Sequence, residues 1–317
     1  MHKQQPHNNS SPPVANRFQW QDYVAPRFWA TWLGFGFFYL LTRLPFATVM
    51  RVGRGMGSLM YHALRSRRKV THINLKMTFP ELNKLERERL ARRAFRHLGM
   101  ATAETAWIWY RNVNEIANIR LAGDEHVDAA LEAGKGVILL QAHFTVLELC
   151  GAVVGARWPV SAVYDPPKNP LFADYLFNQR SRHLSGLIDN RGVREMVRCL
   201  RRGEMVWYSP DQSVSVNHGG IVTQYFGQPA LTTSGTARIL KMTGATIIPF
   251  IPTRREDGSG YTFTFGAPLN LDTSDAKLAT QKVNDELEAH VRTQPEQYLW
   301  AHKRFKLPSE QYANPYT

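Results

Sequence analysis

Two titratable residues interrupt an otherwise apolar run in this 317-residue chain: His143 and Glu148 lie within GVILLQAHFTVLELCG, Gly136 to Gly151. A histidine beside a carboxylate is a base and its orienter. The carboxylate fixes the imidazole tautomer through one ring nitrogen and stabilises the imidazolium that forms, while the other nitrogen takes a proton from a hydroxyl. No neighbouring serine or cysteine is required, because a substrate hydroxyl can itself be the nucleophile. Inside one ideal helix a five-residue step would set the two side chains about 140° apart. They can converge only if His143 stands on an irregular turn and Glu148 in the helix that follows. The spacing permits the pair without dictating it. A metal site has less support, since the sequence has no HExxH motif and no third clustered ligand.

Such a pair needs elements to hold it. GVILLQ reads as a buried strand ending near Gln141, with a helix beginning around Phe144 or Thr145. That places His143 at the carboxyl end of a strand, the edge where open α/β sheets bind ligands. The rest of the chain alternates in the same way. Helices are predicted over Glu81–Tyr110, from Asp124 to Gly134, from Pro170 to His183, and over VREMVRCLRRGE and SGTARILKMTGA. WPVSAVY, MVWYSP, TIIPFIP and GYTFTFG read as strands, and the C-terminal AKLATQ…HKRFK as a helix broken near Pro295. Alternation of this kind predicts an α/β fold with a mostly parallel central sheet covered by helices on both faces. GRGMG at Gly53 follows no strand, so it reads as a place for close helix packing rather than a nucleotide loop.

The ends of the chain differ from this body. Residues 1–16 are rich in Pro, Ser and Asn and read as a disordered tail. Residues 17–56 read as a membrane-anchor region built on FWATWLGFGFFYLLTRLPFATVM, Phe28 to Met50. Its uninterrupted apolar part stops at Leu41, short of the roughly 20 residues a spanning helix needs. Both a marginal single span and a helix lying in the interface are therefore open, and the aromatic residues suit either. The basic RVGRG and RSRRK behind it would hold residues 57–317, a single domain, on the cytoplasmic face. Lys plus Arg outnumber Asp plus Glu by 39 to 26, for a net charge of +13. This balance fits nucleic acid, an anionic membrane surface, or an acidic protein or substrate. Cys150 and Cys199 stand in no metal or redox spacing and read as buried free thiols.

GKGVILLQAHFTVLEL resembles the first motif of the glycerolipid acyltransferase superfamily, a histidine followed after four residues by Asp or Glu. VWYSPDQSV stands where glycerol-phosphate and lysophosphatidate acyltransferases carry a Glu-Gly-Thr-Arg type motif. With YFGQPALTTSGTARILKMTGATIIPFIPTR and PEQYLWAHKRFK, the chain resembles the late acyltransferases of lipid A biosynthesis, the lauroyl/myristoyl type, from the apolar helix to about Lys306. The resemblance implies a glycerol-phosphate acyltransferase-like fold and a Gram-negative inner-membrane enzyme. It would move a fatty acyl group from acyl carrier protein to a hydroxyl of a 3-hydroxyacyl chain on an anionic lipid A precursor. No metal or nucleotide cofactor and no nucleic acid partner is expected. His143 would be the general base and Glu148 its partner. The family's functional arginine maps to Arg180, with Arg182 two residues away, and its acidic PD residue to Asp211, both as substrate-binding groups. Ser234 reads as a helix cap without a chemical role. QSVSVNHGG after Asp211 departs from the family pattern, which bears on the shape of the acceptor or acyl pocket. A lysophosphatidate or phospholipid acyltransferase is the nearest alternative, and a non-catalytic membrane-bound protein on the same fold is the other.

Overall fold

Pro45 divides the apolar run near the N-terminus into two helices, α1 (Trp29–Leu41) and α2 (Phe46–Ala63). Its ring fixes φ and biases the preceding residue away from helix, so the chain turns over Arg43–Pro45. The computed structural model describes residues 18–116, 118–308 and 312–317; the tail expected over 1–16 lies outside them. At 1.5 Å per residue α1 is about 20 Å long, against a hydrocarbon core of about 30 Å. No helix among the described residues is long and apolar enough to cross a membrane. Neither α1 nor α2 is therefore the single span that one of the two alternatives required. One side of α1 is packed: Phe35 stacks on Tyr175 and meets Trp109 edge-on. The other side leaves Trp29, Leu33, Phe37 and Leu40 exposed, Leu33 at 75%.

Behind α2 follow α3 (Arg65–Thr78) and the long α4 (Lys84–Tyr110). Asn83 caps α4 with a reciprocal Asn83–Glu86 capping box. The expected GRGMG packing site is where α2 crosses α4. A Cβ on Gly99 would lie 2.2 Å from the Gly53 carbonyl oxygen and 2.3 Å from the Gly57 nitrogen. Only glycine lets the two backbones touch.

The remaining elements alternate: β1 (Ile119–Ala122), α5 (Glu125–Glu132), β2 (Val137–Leu140), α6 (Leu147–Arg157), β3 (Val160–Tyr164), α7 (Pro170–Ser181), β4 (Gly186–Asp189), α8 (Val193–Arg201) and β5 (Met205–Tyr208). A hairpin follows, β6 (Gly220–Tyr225) and β7 (Gln228–Thr233), then α9 (Gly235–Thr243), β8 (Thr246–Arg254), β9 (Tyr261–Phe265) and α10 (Ala276–Thr293). Seven strands form one sheet in the order β1-β9-β8-β2-β5-β3-β4. From β8 to β4 all neighbours are parallel, and β9 alone runs antiparallel to its neighbour β8. The largely parallel α/β sheet expected is thus present, with one reversed edge. β2 is buried at every residue, as a central strand covered on both faces must be. Strands β1, β4, β6 and β7 were not legible in the sequence. The C-terminal helix ends at Thr293, and after a bridge at Tyr298 the chain to Lys306 is turn and irregular backbone rather than the helix expected. Its backbone is instead spent on partners at the site.

Candidate active site

β2 and β5 lie side by side, with Leu140 opposite Tyr208 and the Gln141 N–H donating to the Tyr208 carbonyl at 3.2 Å. Each chain runs three residues past that register point, one to His143 and the other to Asp211. Equal overhangs on adjacent parallel strands bring the two side chains together outside the carboxyl ends of the sheet. His143 Nδ1 is 2.5 Å from Asp211 Oδ1, and the His143 backbone N–H donates to Oδ2 at 2.9 Å. Asp211 is fully buried and His143 is 22% exposed. Burial would raise the Asp211 pKa, but the His143 charge, the two hydrogen bonds from His143 and one from Tyr298 hold it at about 2. Asp211 is thereby an anion at neutral pH. His143 Nε2 has no protein partner among the described residues.

The expected His143–Glu148 pair does not form. Phe144 makes a bridge with Tyr298, and the Thr145 N–H donates to the Gln297 carbonyl at 2.8 Å. Those backbones are committed to an antiparallel contact and cannot enter the helix. Consequently α6 starts at Leu147, two to three residues later than expected, and Glu148 sits in its first turn. Its carboxylate is taken by Arg180 of α7, with Nη2 2.5 Å and Nε 3.1 Å from Oε1. Burial disfavours the Arg180 charge, but the Glu148 carboxylate outweighs that and raises its pKa. Arg182, the alternative position, instead donates to the Trp109 carbonyl and the Gln179 side chain.

Beneath the turn lies a buried ionic cluster that no sequence pattern flagged. Arg254 of β8, 1% exposed, forks onto Glu104 of α4 at 2.5 and 2.6 Å and reaches His97 Nδ1 at 2.7 Å. Tyr261 also donates to Glu104. Burial first, then the Arg254 charge, pushes the His97 pKa down to about 3, so it accepts from Arg254 as a neutral ring. Arg254 further contacts Thr145 Oγ1, tying the cluster to the His143 turn.

His143, Glu148 and Arg180 line one cleft of about 820 Å³. Its buried lining is apolar and includes Ala152, Ala162, Met196, Trp207 and Ile239. Its exposed lining carries Arg191 and Arg238, neither of which has a carboxylate partner among the described residues. Asp211 supports the site from behind His143 and is not among the cleft-lining groups. Sequence reading missed Arg191 and Arg238 because each lies in a stretch whose local signal was a turn or a helix start. Ser234 stands at the N-cap position of α9, but its hydroxyl bonds the Gly219 carbonyl and caps nothing. The divergent QSVSVNHGG stretch supplies Gln212 to Ser215 and His218 to the cleft wall. Chemically, the arrangement offers a buried-anion-backed imidazole with one nitrogen open, an apolar slot, and cationic groups at its exposed side.

The model of the bacterial lipid A biosynthesis acyltransferase family matches residues 16–307. The lipid A biosynthesis lauroyltransferase of Escherichia coli (strain K12) is 34% identical, over 90% of this chain and 94% of that protein. The lipid A biosynthesis palmitoleoyltransferase of the same organism is 30% identical, again over 90% and 94%. Its lipid A biosynthesis myristoyltransferase is 26% identical, over 92% and 91%.

Proposed function

The chain belongs to the bacterial lipid A biosynthesis acyltransferase family, and from that premise we propose that it transfers a fatty acyl group from acyl carrier protein to a hydroxyl on a 3-hydroxyacyl chain of a lipid A precursor. The observation that carries this reading is the imidazole of His143, bonded through Nδ1 to a buried carboxylate, with Nε2 open beside an apolar slot. His143 Nε2 removes the proton of the acceptor hydroxyl, and the hydroxyl oxygen attacks the thioester carbonyl. Asp211 stabilises the resulting imidazolium. The tetrahedral intermediate then breaks its carbon–sulfur bond, and the imidazolium returns the proton to the departing pantetheine sulfur. No metal or nucleotide enters these steps.

The apolar lining receives the acyl chain, so chain length is read by slot depth at about 1–3 kcal/mol per methylene. Arg180 is charge-balanced by Glu148, which makes Arg191 and Arg238 the better candidates for the phosphates of an anionic acceptor. The donor carrier, an acidic protein, docks on basic charge near the cleft, where Arg67 donates to the carbonyl of Ala301, the residue before His302, at 3.2 Å. Trp29, Leu33, Phe37 and Leu40 on the open side of α1 lie in the cytoplasmic interface of the inner membrane, next to the lipid substrate. The test is purified protein with acyl carrier protein thioesters and defined acceptors, read by mass spectrometry. A product acylated on a 3-hydroxyacyl hydroxyl supports the reading; transfer only to lysophosphatidate or lysophospholipid overturns it.

A further inference from the structure

Besides His143 the cleft is lined by His183, His218 and His302, which the steps above leave unused. From the contact between Phe144 and Tyr298, the Leu299 N–H donates to the His143 carbonyl at 3.0 Å. Three residues on, the chain has turned back and His302 lines the same cleft as His143. Its backbone is held from two sides: the carbonyl accepts from Asn74 Nδ2 at 2.8 Å and from the Arg304 N–H at 3.0 Å. Asn74 is itself fixed by the Tyr316 hydroxyl at 2.5 Å. The His302 ring feels the charges of both His143 and Asp211. Its Nε2 is buried and has no hydrogen-bond partner. A buried polar atom left unsatisfied is costly, and in native proteins it is accounted for by water or by a ligand. His183, another cleft histidine with an orphaned Nε2, donates its backbone N–H to the Arg180 carbonyl at 3.0 Å and so sits with the Glu148–Arg180 pair.

Resting on the acyl-transfer reading, we propose that His302 donates a hydrogen bond from Nε2–H to the thioester carbonyl oxygen as it becomes an oxyanion. Such a donor must keep its proton and must not compete with His143 for the one removed from the acceptor. Burial, then the His143, Arg304 and Arg67 charges, push the His302 pKa down to about 4 against the pull of Asp211. The ring is therefore neutral at neutral pH and offers one N–H. During attack the carbonyl π pair moves onto oxygen and His302 stabilises it without proton transfer. On collapse the pair returns, the carbon–sulfur bond breaks, and the proton held by His143 leaves with sulfur. Preorganised donors of this kind act in a water-poor site where they are strongest.

The experiment compares His302→Phe, which keeps ring bulk and loses the donor, with His302→Gln, which keeps an amide N–H. His302→Ala is a second donor-free variant should Phe disturb packing, and the thermal midpoint of each full-length protein is measured. The expected result is a fall in kcat of about 10²–10³-fold for the donor-free variants, with little change in KM. Gln should recover about tenfold or more. The proposal is overturned if a donor-free variant keeps kcat within about threefold of the parent, or if Gln is as slow as Phe while melting at the parent temperature. Absence of transfer by the parent protein would sink the acyl-transfer reading instead.

Discussion

Replacing Asp211 by asparagine keeps the shape of the side chain and removes its charge. The carboxylate is fully buried and sits 2.5 Å from His143 Nδ1. Unit charges whose centres are about 4 Å apart at an effective dielectric near 20 interact by about 4 kcal/mol. At about 1.4 kcal/mol per factor of ten, losing that support for the imidazolium lowers kcat about 10³-fold. An asparagine amide can also donate to Nδ1 and leave the proton on Nε2, the wrong tautomer for a base, which carries the loss toward about 10⁴-fold. Glu148→Gln makes the contrast. It strands the Arg180 guanidinium and should cost about 2 kcal/mol of stability, below the roughly 3–5 kcal/mol of a fully buried pair because both side chains keep some exposure. Its kcat should fall far less than that of Asp211→Asn. Turnover of acyl carrier protein thioester under saturating acceptor, with thermal midpoints measured alongside, separates the two. If Glu148→Gln loses more kcat than Asp211→Asn, or Asp211→Asn stays within tenfold of the parent, the assignment of Asp211 as the orienter is wrong.

Asp211 also sets an acid limb of stability. Its folded pKa of about 2 lies below the ordinary 3.8, so it contributes about 2 kcal/mol above pH 4 that is lost as pH falls from about 4 to about 2. Thermal midpoints taken across that window should drop less for Asp211→Asn than for the parent; equal drops would contradict this. Gly99→Ala puts a methyl into the α2 backbone and should destabilise by about 1–3 kcal/mol, seen as a lowered denaturation midpoint with the site chemistry unaltered per folded molecule. Leu33→Glu together with Phe37→Glu, both on the open side of α1, should reduce binding to anionic vesicles while transfer to a detergent-dispersed acceptor is kept; unchanged sedimentation with vesicles would refute the interfacial role.

Periodicity and local signals, by themselves, carried a good part of the fold. The strand GVILLQ, the helices expected from Glu81, Asp124 and Pro170, which begin at Lys84, Glu125 and Pro170, and the packing glycines of GRGMG all lie where residue types within a few positions of one another decide the outcome. Strand β4 escaped because GLID is short and half-exposed, and the β6–β7 hairpin because Phe226 occupies a φ of 53°, a conformation a phenylalanine seldom takes. The two short helices α1 and α2 follow from Pro45, which cuts one apolar run between them.

The site divides in the same way. His143, Glu148, Arg180 and Asp211 were all singled out from the chain, because titratable groups inside apolar runs and the family resemblance mark them. Which carboxylate serves the histidine was beyond that reading. A five-residue step in sequence favoured Glu148, whereas Asp211 lies 68 residues away. The pairing follows from the register of two parallel strands, Leu140 against Tyr208, and from a C-terminal segment that holds Phe144 out of the helix. The sequence alone determined the chemical groups and the sheet edge that carries them. Only the tertiary structure decided their partners, since hydrogen bonding between strand ends depends on register and packing across the sheet, which no local spacing encodes.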